Sequence, residues 1–197
     1  MSAILTKTFS PPPFDGREAL RYAGCREADE MTKALLFAAR DEAWEVLSYR
    51  VCYGVFPVSV EGSRCNLGPF SVPSASLAGV LSGCREAVLF AATVGVGLDR
   101  LIARYGAVAP SRAVMLQAIG AERIEALCDV FCNTLAVEEN RALRPRFSPG
   151  YGDLPLDTQR EIFRVLDCQR KIGLTLNDSL LMSPTKSVTA IVGLCDR

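Results

Sequence analysis

Arg146 opens a segment, Arg-Phe-Ser-Pro-Gly-Tyr-Gly-Asp-Leu-Pro-Leu-Asp157, in which one guanidinium sits among turn formers and apolar anchors. Pro145, Pro149, Gly150, Gly152 and Pro155 interrupt any regular ladder, because proline has no backbone donor and glycine is conformationally loose. Phe147, Tyr151, Leu154 and Leu156 make it more than a solvated linker. Such a loop can present backbone groups and a cation to a small ligand. It can equally be an ordinary connection between two helices. Upstream, Glu125 is the one carboxylate on a stripe of small residues, Ala118, Ala121, Cys128 and Cys132, spaced as one face of a helix. A carboxylate there needs a cationic partner. Arg123, another arginine of the chain or a ligand ammonium would serve.

Other chemistries fit poorly. The chain has no histidine, which removes a Ser-His or Cys-His dyad, a histidine base and any histidine-ligated metal. It also prevents the chain from giving an imidazole to a cobalt or haem centre. The eight cysteines form no C-x-x-C pair, and the closest two, Cys128 and Cys132, have helical spacing. They read as small buried hydrophobes rather than metal ligands or redox centres. Without a secretory signal, disulfides are not expected. Thr93-Val-Gly-Val-Gly-Leu-Asp99 could cradle an anion at a helix start. The third glycine of a dinucleotide fingerprint is absent and Asp99 would repel phosphate, so a tight strand-to-helix turn is the better reading.

The 197 residues are 49% hydrophobic and 22% charged, with zero formal charge. That suits one large domain or two small ones, with no general pull toward nucleic acid or anionic lipid. The longest apolar run, Ala87 to Leu98, is too short for a membrane span, which takes roughly 20 residues. The chain reads as cytoplasmic, with no signal peptide.

The elements that must position these residues are legible in outline. Residues 1–14, with three consecutive prolines, look like a disordered or extended lead-in to a single domain over 15–197. Asp15 caps a short helix, and an amphipathic helix runs from Glu27 to Leu47. Tyr49 to Val60 and Cys65 to Val72 read as strands about a Glu61-Gly62-Ser63 turn. Ser74 starts a helix, and Ala87 to Thr93 fits a buried strand. A further helix ends near Gly106. The longest helix, capped by Ser111, reaches Asn140 and carries Glu125. After the Arg146 loop, Asp157 or Thr158 caps a helix to Asp167, with Thr158 and Glu161 spaced as a capping box, and Cys168 to Lys171 close it with positive charge. Ile172 to Met182 and Ser187 to Leu194 read as the last strands. Two groups of strands separated by helical blocks predict an α+β fold with a twisted, mainly antiparallel sheet and helices packed around it.

With these residues in view, a family resemblance follows. Arg146-x-x-x-Gly150-Tyr151, a proline-bearing turn and the helix from Thr158 are joined by Ile172-Gly-Leu-Thr-Leu-Asn-Asp-Ser179-Leu-Leu-Met182-x-Pro184-x-x-Ser187-Val188. This pattern resembles the activation domain of cobalamin-dependent methionine synthase, closely over Arg146 to Leu194 and more loosely upstream. The resemblance implies helices around a twisted antiparallel sheet and an S-adenosylmethionine site in the loop centred on Tyr151. It implies a partner, the cobalamin-binding domain of a methyltransferase. There, one electron from a flavodoxin-like donor and a methyl from S-adenosylmethionine restore methylcobalamin after the cobalt is oxidised to Co(II). Arg146 matches the family arginine that holds the ligand carboxylate, and Gly150 and Tyr151 match the Gly-Tyr that borders the ligand. Gly152 and Asp153 continue the loop but depart, with Leu154, from the small apolar residues usual there. Glu125 aligns loosely with a helical glutamate that meets the ligand ammonium. The implied role is an accessory, reactivating component acting in trans, with no acid or base of its own. The alternative is a docking or assembly subunit for a corrinoid protein that no longer binds S-adenosylmethionine.

Overall fold

In the computed structural model, which describes residues 3–25 and 27–195, three long strands make the frame. β2 (Tyr49–Pro57), β6 (Glu86–Thr93) and β10 (Ser187–Cys195) form the centre of a five-stranded sheet. Its order is β1-β2-β6-β10-β7, with β1 (Leu5–Phe9) and β7 (Ala142–Leu143) at the edges. Every pairing is antiparallel. β6 reads as a continuous apolar run because helices cover the sheet on both faces. Val88, Phe90 and Ala92 face α1 (Gly16–Tyr22), α2 (Glu30–Trp44), α4 (Val96–Val108) and α5 (Pro110–Glu138). Ala87, Leu89 and Ala91 face α3 (Ala75–Leu81), α6 (Thr158–Leu166) and α7 (Cys168–Ile172). A three-stranded sheet, β3 (Ser59–Glu61), β4 (Arg64–Asn66) and β5 (Ser71–Pro73), adds Cys65 and Val72 to the second core. The α+β class with an antiparallel sheet is the one expected.

Several local expectations are corrected. Leu5–Phe9, inside the expected lead-in, pairs with β2 as an edge strand. The prolines that follow are held by α5. Arg123 donates to the carbonyls of Pro12 and Pro13, each at 2.6 Å. It also pairs with its neighbour Glu122 and stacks between the rings of Phe14 and Trp44, 5.2 Å from each centroid. Ser111 does not cap α5, which starts at Pro110 after Ala109 with no side-chain cap; proline suits that first position because its missing donor would be unpaired anyway. The capping box at Thr158 does not form either, since Thr158 is buried inside the first turn. Asp167, left-handed at φ 52°, separates α6 from α7.

Ile172 to Met182 is not a strand. Gly173, at φ 71°, ends α7, and only the hairpin of β8 (Thr175–Leu176) and β9 (Met182–Ser183) follows. Asn177 makes the turn, its side chain accepting from the Leu181 N–H at 2.9 Å. The expectation of no disulfide is also overturned. Cys84 and Cys195 are bonded, with Cα atoms 4.9 Å apart. Strand order explains why spacing missed it: Gly193 of β10 lies against Cys84, so residues 111 apart in sequence meet at one end of the sheet.

Candidate functional site

The site forms where the chain leaves α5 and returns to the edge of the sheet. Phe147 adds one bridge beside β10. Its N–H donates to the Ile191 carbonyl and its carbonyl accepts from the Ile191 N–H, both at 2.9 Å. Side chains alternate across extended backbone. Phe147 packs into the core shared with α6, while Arg146 is directed to α5. There Arg146 Nη2 donates to Glu125 Oε2 at 2.9 Å and Nη1 pairs with Asp129. Glu125 therefore has an arginine of the chain as partner, and that arginine is Arg146. Arg123, the nearer in sequence, is taken by Glu122.

Burial alone would draw the Arg146 pKa down, but the hydrogen bond to Asp129 and that carboxylate's charge hold it above the ordinary value. The guanidinium is a permanent cation. Burial pushes the thiols of Cys128 and Cys132 up, with Arg146 opposing. They stay protonated, as inert structural cysteines do. Among the described residues no group of three or more His, Cys, Asp or Glu could hold a metal ion.

The loop after Phe147 is closed by its own backbone. Gly150 N–H donates to the Leu154 carbonyl at 2.9 Å, and Leu154 N–H to the Tyr151 carbonyl at 3.0 Å. Gly150 and Gly152 take φ of 90° and 55°, values that glycine adopts without a Cβ penalty. Leu154 is buried beneath the turn, and Tyr151 stands out at 69% exposure. Asp153 points away from Arg146 to the start of α3. It accepts from Ser74 Oγ, from Ala75 N–H at 2.7 Å and from Ser76 N–H at 3.1 Å. Hydrogen bonding to Ser74, reinforced by those amides, holds its carboxyl down at about 2.

A cavity of about 480 Å³ lies between these pieces. Glu125, Arg146 and Tyr151 line it, whereas Gly150, Gly152 and Asp153 do not. The last three shape the loop from behind. The structure adds wall residues that pattern reading missed: Gln159 from the first turn of α6, Met182 from β9, and Ser187, Val188 and Thr189 from β10. Two of these are unusual. Gln159, 6% exposed, and Thr189, 2% exposed, keep side-chain oxygens that are buried with no hydrogen-bond partner among the described residues. Buried polar atoms are normally paired. Read as a helix residue and an alternating strand residue, neither carried a local signal. The donor set suits an amino-acid zwitterion with a neutral polar body: a guanidinium for the carboxylate, a carboxylate for the ammonium, and uncharged groups deeper in.

Comparison with known proteins agrees with this frame. The family described as "Vitamin B12 dependent methionine synthase, activation domain" matches residues 77–195, more than half of the chain. No curated protein matches. Among solved structures, "Crystal Structure of the MetH Reactivation Domain bound to AdoHcy" is similar at a TM-score of 0.72. The likeness covers 97% of this chain and 78% of that one at 16% sequence identity, so what it carries is the fold. With the family match spanning both the Arg146 loop and the strands that frame the cavity, the chain belongs to the activation domains of vitamin B12-dependent methionine synthase.

Proposed function

We propose that this chain is a cytoplasmic S-adenosylmethionine-binding reactivation module, acting in trans on cobalamin carried by a methyltransferase, with methionine synthase the leading partner. The observation that carries the reading is the convergence of Arg146, Glu125 and Tyr151 on one cavity. Arg146 takes the ligand carboxylate through its planar fork. The Glu125 carboxylate faces the ammonium, and the exposed Tyr151 ring borders the sulfonium end, where an aromatic face favours a cation. When bound, S-adenosylmethionine would supply the methyl group to reduced cobalt on the partner and leave as S-adenosylhomocysteine, while Arg146, Glu125 and Tyr151 would hold it in place. The contribution of this chain is orientation and proximity. With no histidine, the chain cannot itself give an imidazole ligand to the cobalt. The required electron comes from a flavodoxin-like donor.

A cobalamin-bearing methyltransferase poised in the cob(II)alamin state tests the proposal. Supplied with S-adenosylmethionine and reduced flavodoxin, it should show the methylcobalamin spectrum only when this chain is added. Remethylation at the same rate without the chain contradicts the role. The docking-subunit reading draws on one observation: Arg146 is already held by two carboxylates. Capture of the corrinoid protein without S-adenosylmethionine binding would favour it.

A further inference from the structure

The cavity has two ends of different chemistry. At the α5 end the formal charges sit, Arg146 with Glu125 and Asp129. At the sheet end the wall is neutral but polar, and it holds the unpaired oxygens of Gln159 and Thr189. These two come from different elements, the first turn of α6 and the middle of β10, and line one cavity. Their neighbours on the same faces are apolar: Ile162 and Leu166 from α6, and Ile191 from β10, are fully buried. Leaving a buried polar atom unpaired is unfavourable. The apolar surroundings supply no internal partner that would offset it. Ser187, also on the wall, differs because its hydroxyl is used internally, donating to Pro184 O and sharing a hydrogen bond with the Thr93 hydroxyl.

We propose that Gln159 and Thr189 bind the nucleoside half of the ligand, through a neutral hydrogen-bonding group. This deepens the S-adenosylmethionine reading and rests on it. The argument is one of matching. The charged amino-acid half is satisfied by charged residues at one end. The remaining polar groups of the ligand are uncharged and need uncharged partners that both donate and accept. A glutamine amide does this side by side, as in its bidentate pairing with an adenine edge, and a threonine hydroxyl does it with one atom. Two ligand groups share that chemistry: the adenine edge, which offers an amino donor beside ring acceptors, and the ribose diol.

Calorimetry with three probes separates them. S-adenosylhomocysteine is the reference; S-inosylhomocysteine replaces the adenine amino group by oxygen; S-(2′-deoxyadenosyl)homocysteine removes one ribose hydroxyl. Wild-type protein should bind at least one analogue about fivefold or more weakly, the effect of one lost hydrogen bond. That penalty should vanish in Gln159→Leu or Thr189→Val. Gln159→Met, close in size and without a hydrogen-bonding group, should also lose it and serves if the leucine variant does not fold. A penalty for the inosine probe assigns the base; a penalty for the deoxy probe assigns the ribose. If neither analogue is penalised, or the penalty persists in all three variants, the inference is overturned while the proposed function stands. If wild-type protein does not bind S-adenosylhomocysteine at all, both fall.

Discussion

Arg123 offers a demanding test of how the fold is held. It is fully buried, paired with an almost fully buried Glu122 and bonded to two prolyl carbonyls. Arg123→Met keeps much of the side-chain volume between Phe14 and Trp44 but removes the cation. Glu122 would then retain the Asp15 N–H, 3.0 Å away, as a donor among the described residues. The carbonyls of Pro12 and Pro13 would lose their arginine bonds. Breaking a buried pair from one side costs about 3–5 kcal/mol, because the remaining charge stays buried without compensation. For 197 residues, at about 2.1 cal/mol/K of unfolding entropy per residue, that lowers Tm by roughly 10 °C. The double variant Glu122→Leu/Arg123→Met should be more stable than Arg123→Met alone, since no orphaned charge remains. Urea denaturation followed by circular dichroism, with thermal melts beside it, gives all the values needed. A cost below about 1 kcal/mol for Arg123→Met, or a double variant that merely sums the two singles, would refute the reasoning.

Two further outcomes are expected. Asp129 competes with the ligand carboxylate for Arg146 from an exposed position. Asp129→Asn should therefore tighten S-adenosylhomocysteine binding, by up to about fivefold given the modest worth of exposed pairs; weaker binding by calorimetry would contradict the competition. Asp153 titrates at about 2 in the folded chain, below an ordinary aspartate near ~3.9. Its contribution is thus complete above the unfolded value and is lost as pH falls through the folded one. Asp153→Asn should be less stable at neutral pH, and the gap in urea midpoint should close between about pH 4 and 2; a gap independent of pH would contradict the assignment.

What could be read from the sequence, and what could not, follows from the range of each interaction. Periodicity placed the buried strands and the long helix because apolar spacing is a local property. Glu125 was legible as a carboxylate in need of a cation, but its partner was not. Arg123 is adjacent in sequence yet taken by Glu122, and Arg146 arrives only because Phe147 pairs with Ile191. Asp153 looked like a loop residue facing the ligand. Its carboxylate instead caps α3 across a separation of 79 residues, which no local pattern could reveal. Gln159 and Thr189 were hidden for the same reason: the feature that marks them, an unpaired buried oxygen, exists only once β10 and α6 enclose the cavity.

In the proposed function, Arg146 grips the amino-acid end of a sulfonium methyl donor. Titration of wild-type and Arg146→Ala protein with S-adenosylmethionine measures it directly. The wild type should bind saturably, and the variant should lose about 1.5–3 kcal/mol, roughly tenfold to 150-fold in affinity. Equal affinity in the two proteins, with both fully folded, would contradict it.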